Sequence, residues 1–224
     1  NRELTKRLED IEAREGRKPG ARARKRIRED VLHDMLPKAL VKPVRVDALL
    51  DLRRGLLAVD TASRRAAETV ASEIRRALGS FPALPVNAEV APRSVLTGWI
   101  AGEPLPDGLA LGEECELKDA MDGGAVIKCQ HQELRGDEIA KHLESGKQVT
   151  RLALTLDDAV SFVVGEDLAV RKLRFLDGVM DQLENSERED LAAELDARFL
   201  IMASTIGRLF DTLEAALQLS KVEG

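Results

Sequence analysis

The chain has 224 residues, of which 44% are hydrophobic and 33% are charged, and its formal net charge is −6. This composition is typical of globular proteins, and no stretch approaches the roughly 20 apolar residues of a membrane-spanning helix, so a transmembrane helix is excluded. Two cysteines, Cys115 and Cys129, are too few for the disulfide framework of a small secreted protein. We therefore expect a cytoplasmic protein.

Two amphipathic helices are predicted at the start of the chain. Apolar residues recur every three or four positions over 2–15 and again over about 21–36. Gly and Pro residues at 16–20 end the first helix, and Pro37 ends the second. The segment 1–42 is therefore predicted to form an αα-hairpin.

This hairpin carries the main charge feature of the chain, and we call it the basic finger. Between residues 13 and 28, eight basic side chains face one carboxylate, Glu15. The eight are Arg14, Arg17, Lys18, Arg22, Arg24, Lys25, Arg26 and Arg28. At 100° per residue, Arg22, Lys25 and Arg26 fall opposite the apolar stripe of the second helix, and the charge is predicted to gather at a protruding tip. A cationic block in an acidic chain is typical of a protein that contacts a polyanion, and nucleic acid is the leading partner. A solvated helix end is the alternative interpretation.

After the finger the pattern changes to short extended runs. Runs at 44–51 and 56–62, joined by a turn, predict a β-hairpin. A helix capped by Thr61 or Ser63 is expected to follow and to end at Leu78, before Gly79. Its inward-facing residues are predicted to be Ala67, Val70, Ile74 and Leu78.

The rest of the chain alternates strands and helices. A short helix around 94–101 is expected to bury Trp99, and a Gly/Pro-rich linker follows it. Further strands are predicted at 113–118, 125–134, 148–156, 160–165 and 168–175, with a turn at 121–124, a helix at 137–145 and a helical region at about 187–219. The predicted fold class is α+β, with the basic αα-hairpin finger on mainly antiparallel sheets flanked by helices and a C-terminal helical segment. The expected domain boundaries give 1–42, 43–105, 106–180 and 181–224.

An enzyme is not predicted. Cys115, Cys129 and His131 lack the second close pair of ligands that a zinc site needs. Asp157 and Asp158 could bind Mg²⁺, but they lie between two predicted strands, where turn geometry favours Asp. We expect no catalytic residue, no metal and no cofactor.

The side chains that the finger lacks indicate which type of nucleic acid it could bind. Base reading in the major groove uses Asn, Gln and Arg along one helix face, whereas the basic helix offers Arg and Lys almost alone. Aromatic residues are 3% of the chain, and Tyr is absent, so stacking platforms for single strands are not evident. Phosphate contact remains, which carries no sequence information. A double-stranded, sequence-tolerant partner fits best.

Eight segments along the whole chain resemble blocks of the bacterial recombination-associated protein RdgC family. In order, they are EDVLHDMLPKAL (29–40), GLLAVDTAS (55–63), RALGSFPALPV (76–86), LTGW (96–99), GGAVIKCQHQEL (123–134), EIAKHLESGKQVTRLAL (138–154), LAVRKLRF (168–175) and LDARFLIM (195–202). The family's N-terminal segment is expected to be absent from these 224 residues.

The resemblance implies a nucleoid-associated protein that binds duplex DNA without sequence specificity and antagonises RecA-promoted strand exchange. It further implies a ring-like homodimer whose positively lined hole accommodates the duplex. The family's basic finger helix falls on Arg22–Arg28. The residues that match segments facing the hole are Lys128, Gln132 and Lys147.

One departure from the family concerns ring closure. Where family members carry Arg-Ala-Phe, this chain has Lys38-Ala39-Leu40, so an aromatic contact between finger tips is replaced by an aliphatic one. Closure of the homodimer is expected to use an apolar tip around Leu36, Leu40 and Val41.

Two alternative functions stay open beside DNA binding and modulation of recombination. In the first, the chain is an adaptor whose basic finger docks an acidic protein, such as a RecA-type filament, and DNA binding is incidental. In the second, the chain is an enzyme that acts on nucleic acid through Asp157 and Asp158. Binding to bare duplex at moderate salt distinguishes the adaptor, and any Mg²⁺-dependent product identifies the enzyme.

Overall fold

The computed structural model describes residues 2–40, 43–119, 124–179 and 191–220. The chain divides into two compact units, Asn1–Arg45 and Val46–Gly224. Helices and antiparallel sheets confirm the α+β class. The finer domain boundaries at residues 42, 105 and 180 stay predictions.

The N-terminal unit consists of two helices. Helix α1 spans Arg2–Glu15 and helix α2 spans Ala21–Met35, followed by a 3-10 turn at Leu36–Lys38. The two helices pack against each other, and Arg7 Nη2 of α1 lies 4.0 Å from Asp34 Oδ2 of α2. Both predicted helices are confirmed, because Gly and Pro residues interrupt the helical pattern where expected.

Few of the apolar residues of this unit are covered. Val31 is 8% exposed, whereas the residues after it on α2 and in the 3-10 turn are largely accessible. The exposed fractions are 58% for Leu32, 50% for Met35, 61% for Leu36 and 98% for Leu40.

The apolar residues predicted to close the homodimer lie far from the basic connection, and the contact itself stays a prediction. Leu36 follows the last residue of α2, and this helix of 15 residues separates it from the 16–20 connection by about 22 Å. The basic connection and the apolar residues Leu36 and Leu40 therefore lie at opposite ends of α2. Val41 lies outside the described residues.

The second unit begins with a small hairpin and a helix. Strands β1 (Ala48–Asp51) and β2 (Leu56–Val59) pair antiparallel, as predicted. Helix α3 (Arg64–Leu78) starts after Ser63, whose hydroxyl accepts a hydrogen bond from the Ala66 amide at 3.4 Å. The helix ends at Gly79, which adopts φ 77°, a conformation that favours glycine.

The predicted inward face of α3 is only partly confirmed. Ala67, Val70 and Ile74 are half-buried, and no residue of α3 is fully buried. Leu78 was expected to face inward but is 67% exposed. The apolar spacing of a helix indicates which residues share a face, but not how much of that face is covered.

The main sheet has five antiparallel strands in the order β4-β3-β5-β6-β7. They are β3 (Leu109–Asp119), β4 (Val126–Gln130), β5 (Lys147–Leu156), β6 (Val160–Gly165) and β7 (Val170–Phe175). Strand β5 pairs with β6, which follows it in sequence, and with β3, from which β4 and helix α5 (Asp137–Glu144) separate it.

One face of this sheet forms the hydrophobic core with helices α4 (Pro92–Ala101), α5 (Asp137–Glu144) and α6 (Leu191–Leu217). Trp99 on α4 is 4% exposed, which confirms its predicted burial. Thr97 on the same helix accepts a hydrogen bond from the Val149 amide at 2.9 Å. Within the described part of the chain, no helix is long and apolar enough to cross a membrane.

The hairpin β1–β2 is attached to α6 by one arginine. Arg54 donates hydrogen bonds to Asp51 and to both carboxylate oxygens of Asp211, at 2.8 to 2.9 Å. A Cβ atom at Gly207 on α6 would lie 2.7 Å from the Arg54 guanidinium. The hydrogen bonds from Arg54 lower the pKa of Asp51.

Several element boundaries differ from the predicted ones, and two of them lie in the main sheet at β3 and β4. Strand β3 begins at Leu109, four residues earlier than expected, because Leu109–Leu111 pair with residues 154–156 of β5 although they follow a Gly/Pro-rich segment. Strand β4 ends at Gln130 rather than at 134, because His131 adopts φ 56° and leaves the strand. Residues 120–123 and 180–190 lie outside the described residues. Most of the predicted turn at 121–124 and the start of the predicted C-terminal helical region belong to these ranges.

Candidate nucleic-acid interface

The first candidate surface is the cationic cluster of the N-terminal unit. Arg14 lies in the last turn of α1, Arg17 and Lys18 lie in the connection, and the others lie on α2. All eight side chains are exposed: Arg14, Arg17, Lys18, Arg22, Arg24, Lys25, Arg26 and Arg28. Two short helices and their connection thus present eight accessible cations within 15 residues of sequence.

Ion pairs within the described part of the N-terminal unit leave these eight cations aside. Within residues 2–40, no carboxylate forms an ion pair with any of the eight. Arg24 Nε donates a hydrogen bond to the Pro19 carbonyl at 2.9 Å, which ties the first turn of α2 to the connection. The cluster is therefore available to an external anion.

The second candidate surface is the face of the main sheet that points away from the hydrophobic core. Directly paired residues share a face, and Glu116 of β3 pairs with Lys128 of β4 and with Arg151 of β5. On β7, Arg171 and Arg174 pair with β6 residues of the same face. We call this surface the basic sheet face, and its cations are Lys118, Lys128, Arg151, Arg171, Lys172 and Arg174.

Two irregularities in the strands bring these cations together. The register shifts between Glu116 and Leu117, so Thr150 of β5 has no direct partner and Arg151 points to the basic sheet face. A second shift in β7 gives Lys172 φ 52°. Lys172 Nζ lies 2.6 Å and 2.7 Å from the two carboxylate oxygens of Glu114 on β3.

The basic sheet face is positive despite its ion pairs. Its strand positions carry six cations against two carboxylates, Glu114 and Glu116. Arg171 forms a bidentate pair with Asp167 of the β6–β7 turn, which raises the pKa of Arg171 and lowers the pKa of Asp167. Since the carboxylates are fewer than the cations, the face has charge left to attract an anion.

Gly165 makes room for this arrangement. It lies opposite Arg151 at the end of β6. A Cβ atom at this position would lie 2.7 Å from Arg171 Nη1. The missing side chain therefore lets the Arg171 guanidinium lie against the sheet beside Arg151.

The three residues that the resemblance assigned to the hole are not brought together. Lys128 is exposed on the basic sheet face. Lys147 pairs with Asp119 and by alternation lies on the opposite face, where its Nζ donates to Ser145 Oγ at 3.0 Å. Gln132 follows the end of β4, beside Glu113 and Arg135 in an open cleft of about 370 Å³.

Sequence reasoning missed most cations of the basic sheet face. Those not singled out are Lys118, Arg151, Arg171, Lys172 and Arg174. The clearest available signal was the segment VRKLRF at 170–175, which places three cations on one short strand. The two register shifts that orient these side chains leave no mark in an alternating pattern.

The cysteines considered for metal binding lie in the hydrophobic core, and the histidine lies outside it. Cys115 and Cys129 pair directly across β3 and β4 on the core side and are 2% and 8% exposed. Burial, and next the neighbouring Cys129, raise the pKa of the Cys115 thiol to about 12. His131 is exposed beyond the end of β4. Among the described residues, no group of three His, Cys, Asp or Glu side chains could hold a metal ion.

Asp157 and Asp158 form the turn between β5 and β6. Both adopt positive φ, 50° and 49°, and the Ala159 amide donates to the Leu156 carbonyl at 2.9 Å across the turn. Asp157 Oδ2 also accepts a hydrogen bond from Arg208 Nε of α6 at 3.1 Å. Two-residue turns of this kind favour Asp and Gly, and the geometry agrees with the turn expected from the sequence.

Comparison with known proteins identifies the family. A family model described as "Putative exonuclease, RdgC" matches residues 1–220. A protein of Xanthomonas oryzae pv. oryzae named "Recombination-associated protein RdgC" is 65% identical over 220 residues, which cover 98% of this chain and 73% of the relative. Proteins of the same name are 64% identical in Xanthomonas campestris pv. campestris, with the same coverage, and 64% identical over 218 residues in Xylella fastidiosa, covering 97% of this chain and 72% of the relative. The resemblance seen in the sequence is confirmed, and the chain belongs to the RdgC family of recombination-associated proteins.

Proposed function

We propose that this chain binds duplex DNA through its phosphates, without reading the base sequence. The observation that carries the proposal is the cluster of eight exposed cations between Arg14 and Arg28, with which no carboxylate of residues 2–40 pairs. The basic sheet face of the second unit offers further cations of the same kind. Lys and Arg contacts to phosphate supply affinity and position but no base identity.

The proposed role in the cell follows from the family and from this type of binding. A protein that covers duplex DNA at any sequence competes with the RecA filament for its substrate, and we propose that it limits RecA-promoted strand exchange in this way. Its location would then be the nucleoid. The N-terminal unit acts in this proposal as the basic finger that contacts the duplex.

The first test is binding to several duplexes of unrelated sequence. We expect dissociation constants within a few-fold of one another, because neither basic surface carries an array of base-reading side chains. Fluorescence anisotropy with labelled duplexes of equal length at two salt concentrations measures this. A preference on the order of a thousandfold for one sequence would contradict the proposal.

A second experiment tests for nuclease activity, since the description of the family model names an exonuclease. Duplexes labelled at either end are incubated with the protein and Mg²⁺, with a chelator as the control. Intact DNA after incubation supports a binding protein, and labelled shortened products would instead establish a nuclease.

The dependence of duplex affinity on salt concentration distinguishes a DNA-binding protein from an adaptor. A phosphate-binding protein retains measurable affinity for bare duplex at moderate salt and loses it with a steep, regular dependence on salt concentration. An adaptor for an acidic protein shows no comparable affinity for duplexes.

We further propose that the protein acts as a ring-like homodimer, closed in part by apolar residues after α2. Leu36 and Leu40 are 61% and 98% exposed, and together with Leu32 and Met35, at 58% and 50%, they form a run of exposed apolar residues at the end of α2, as is found at interaction sites. Two-fold dimers are also the commonest closed assemblies of soluble proteins.

The double variant Leu36→Asp/Leu40→Asp is therefore expected to shift the protein from dimer to monomer, because buried charges oppose an apolar contact. Light scattering coupled to size exclusion, at protein concentrations of tens of micromolar, measures the mass. Leu52→Asp/Leu84→Asp, at other exposed leucines of 83% and 67% exposure, is the matched control and is expected to leave the mass unchanged. A monomeric parent protein would contradict the dimer itself.

A further inference from the structure

Glu116 occupies a central position among the cations of the basic sheet face. Its Oε2 lies 3.3 Å from Arg151 Nη1 of β5 and 3.6 Å from Lys128 Nζ of β4. Its Oε1 accepts a hydrogen bond from Thr150 Oγ1 at 3.1 Å. The Glu116 side chain is 18% exposed, compared with 45% for Arg151 and 66% for Lys128.

The charge of Glu116 also affects a third cation, Arg171. The pKa of Arg171 on β7 is raised mainly by its hydrogen bonds with Asp167, and the charge of Glu116 adds to that effect. One carboxylate thus faces cations from three strands, β4, β5 and β7. The remaining carboxylate of the face, Glu114, pairs with Lys172.

Such an arrangement opposes the binding of a polyanion in two ways. A phosphate that contacts Lys128 or Arg151 must replace a carboxylate that already partly neutralises them. The charge of Glu116 also repels the phosphate directly, and more strongly than a fully solvated charge would, because its side chain is mostly buried. The two ion pairs themselves are exposed on the cationic side, so each is weak enough to be exchanged.

We propose that Glu116 limits the affinity of the basic sheet face for duplex DNA and thereby sets the salt concentration at which the protein releases it. This inference rests on the proposed function, because it assumes that the face contacts phosphates. Glu116 is a positioning residue in this account, since it acts through Lys128 and Arg151. A protein that must cover DNA and yet leave it needs such a limit on its grip.

The test is Glu116→Gln, which removes the charge but retains an amide oxygen that can accept from Thr150 and Arg151. We expect duplex affinity at about 0.1 M salt to rise roughly three- to tenfold, and the slope of log affinity against log salt to become steeper by about 0.9, as for one additional phosphate contact. Glu116→Asp keeps the charge and is expected to bind close to the parent protein.

A matched control separates this local effect from a change in net charge. Glu73→Gln on α3 also removes one negative charge, from an exposed pair with Arg76. We expect its affinity and its salt slope to match those of the parent within experimental error. An equal gain in both variants would overturn the proposal, because the effect would then be one of overall charge.

Two other outcomes would overturn the proposal. Weaker binding by Glu116→Gln would show that the carboxylate organises the cations for DNA, and unchanged binding would show that it has no influence. Glu114→Gln, which frees Lys172 on the same face, provides a second variant if Glu116→Gln does not fold, and it is expected to bind more tightly as well.

Failure of the inference is distinguishable from failure of the proposed function. If the parent protein does not bind duplexes, the proposed function fails whatever the variants do. If the parent binds duplexes and Glu116→Gln and Glu114→Gln bind as the parent does, the function stands and the role of Glu116 is rejected.

Discussion

Replacing Arg22, Lys25 and Arg26 by alanine is expected to make the slope of log duplex affinity against log salt shallower by about 2–3 units. Each phosphate contact contributes about 0.9 to this slope, so the affinity at about 0.1 M salt should fall on the order of a hundred- to a thousandfold. All three side chains are exposed on α2. Fluorescence anisotropy on one random-sequence duplex across a salt series measures both quantities.

The fold is expected to survive this substitution. Alanine has the highest helix propensity, and the replaced side chains are exposed. Circular dichroism and the melting temperature should therefore barely change. The triple variant Arg64→Ala/Arg65→Ala/Arg76→Ala on α3 removes the same charge elsewhere and should retain most of the slope.

An unchanged slope in the α2 variant would show that these three side chains of the N-terminal unit do not contact DNA phosphates. If the variant in addition lost binding to an acidic protein partner, the adaptor function would be favoured over DNA binding. The control on α3 guards against the trivial case in which any loss of three charges has the same effect.

The second large effect is expected on the basic sheet face. Replacing Arg151, Lys172 and Arg174 by alanine should also reduce the salt slope by about 2–3 units if each contacts a phosphate. The stability cost is expected to be small, because Arg151 and Lys172 are 45% and 55% exposed and exposed ion pairs contribute little. Thermal melting beside the salt series tests this.

The two triple variants together decide which unit grips the duplex. Loss of slope in both indicates that each unit contacts phosphates, and loss in one alone assigns the contact to that unit. If neither variant differs from the α3 control, the proposed phosphate contacts are rejected for both surfaces.

The N-terminal unit was predictable because its determinants are local. Apolar spacing, Gly16 and Pro37 are properties of neighbouring residues, and helices α1 and α2 follow from them. The eight cations needed only to be exposed, which helices of this composition ensure.

The basic sheet face was not predictable from the sequence, because it depends on pairing between distant segments. Arg151 faces the same way as Lys128 only because Thr150 is an additional residue in β5. Period-2 alternation cannot reveal such a shift. The family resemblance groups Lys147 with Lys128, whereas strand alternation places Lys147 on the opposite face of the sheet.

The buried face of α3 was overestimated for a related reason. The apolar spacing of Ala67, Val70, Ile74 and Leu78 fits a helix on a broad sheet. In the structure, no residue of α3 is fully buried, and Leu78 at the end of the helix is 67% exposed. The pattern indicates which residues share a face, and contacts with the rest of the chain decide how many of them are covered.

The cations of the main sheet also lie where an open sheet is most vulnerable. Strands β4 and β7 are the two ends of the strand order, and they carry Lys128 and the cluster Arg171, Lys172 and Arg174. Terminal strands offer unpaired backbone groups to other chains, and charged side chains and bulges there discourage edge-to-edge pairing. The side chains proposed to bind DNA thereby also protect the sheet against aggregation. A variant that lacks these cations would therefore lose DNA affinity and also self-associate more readily.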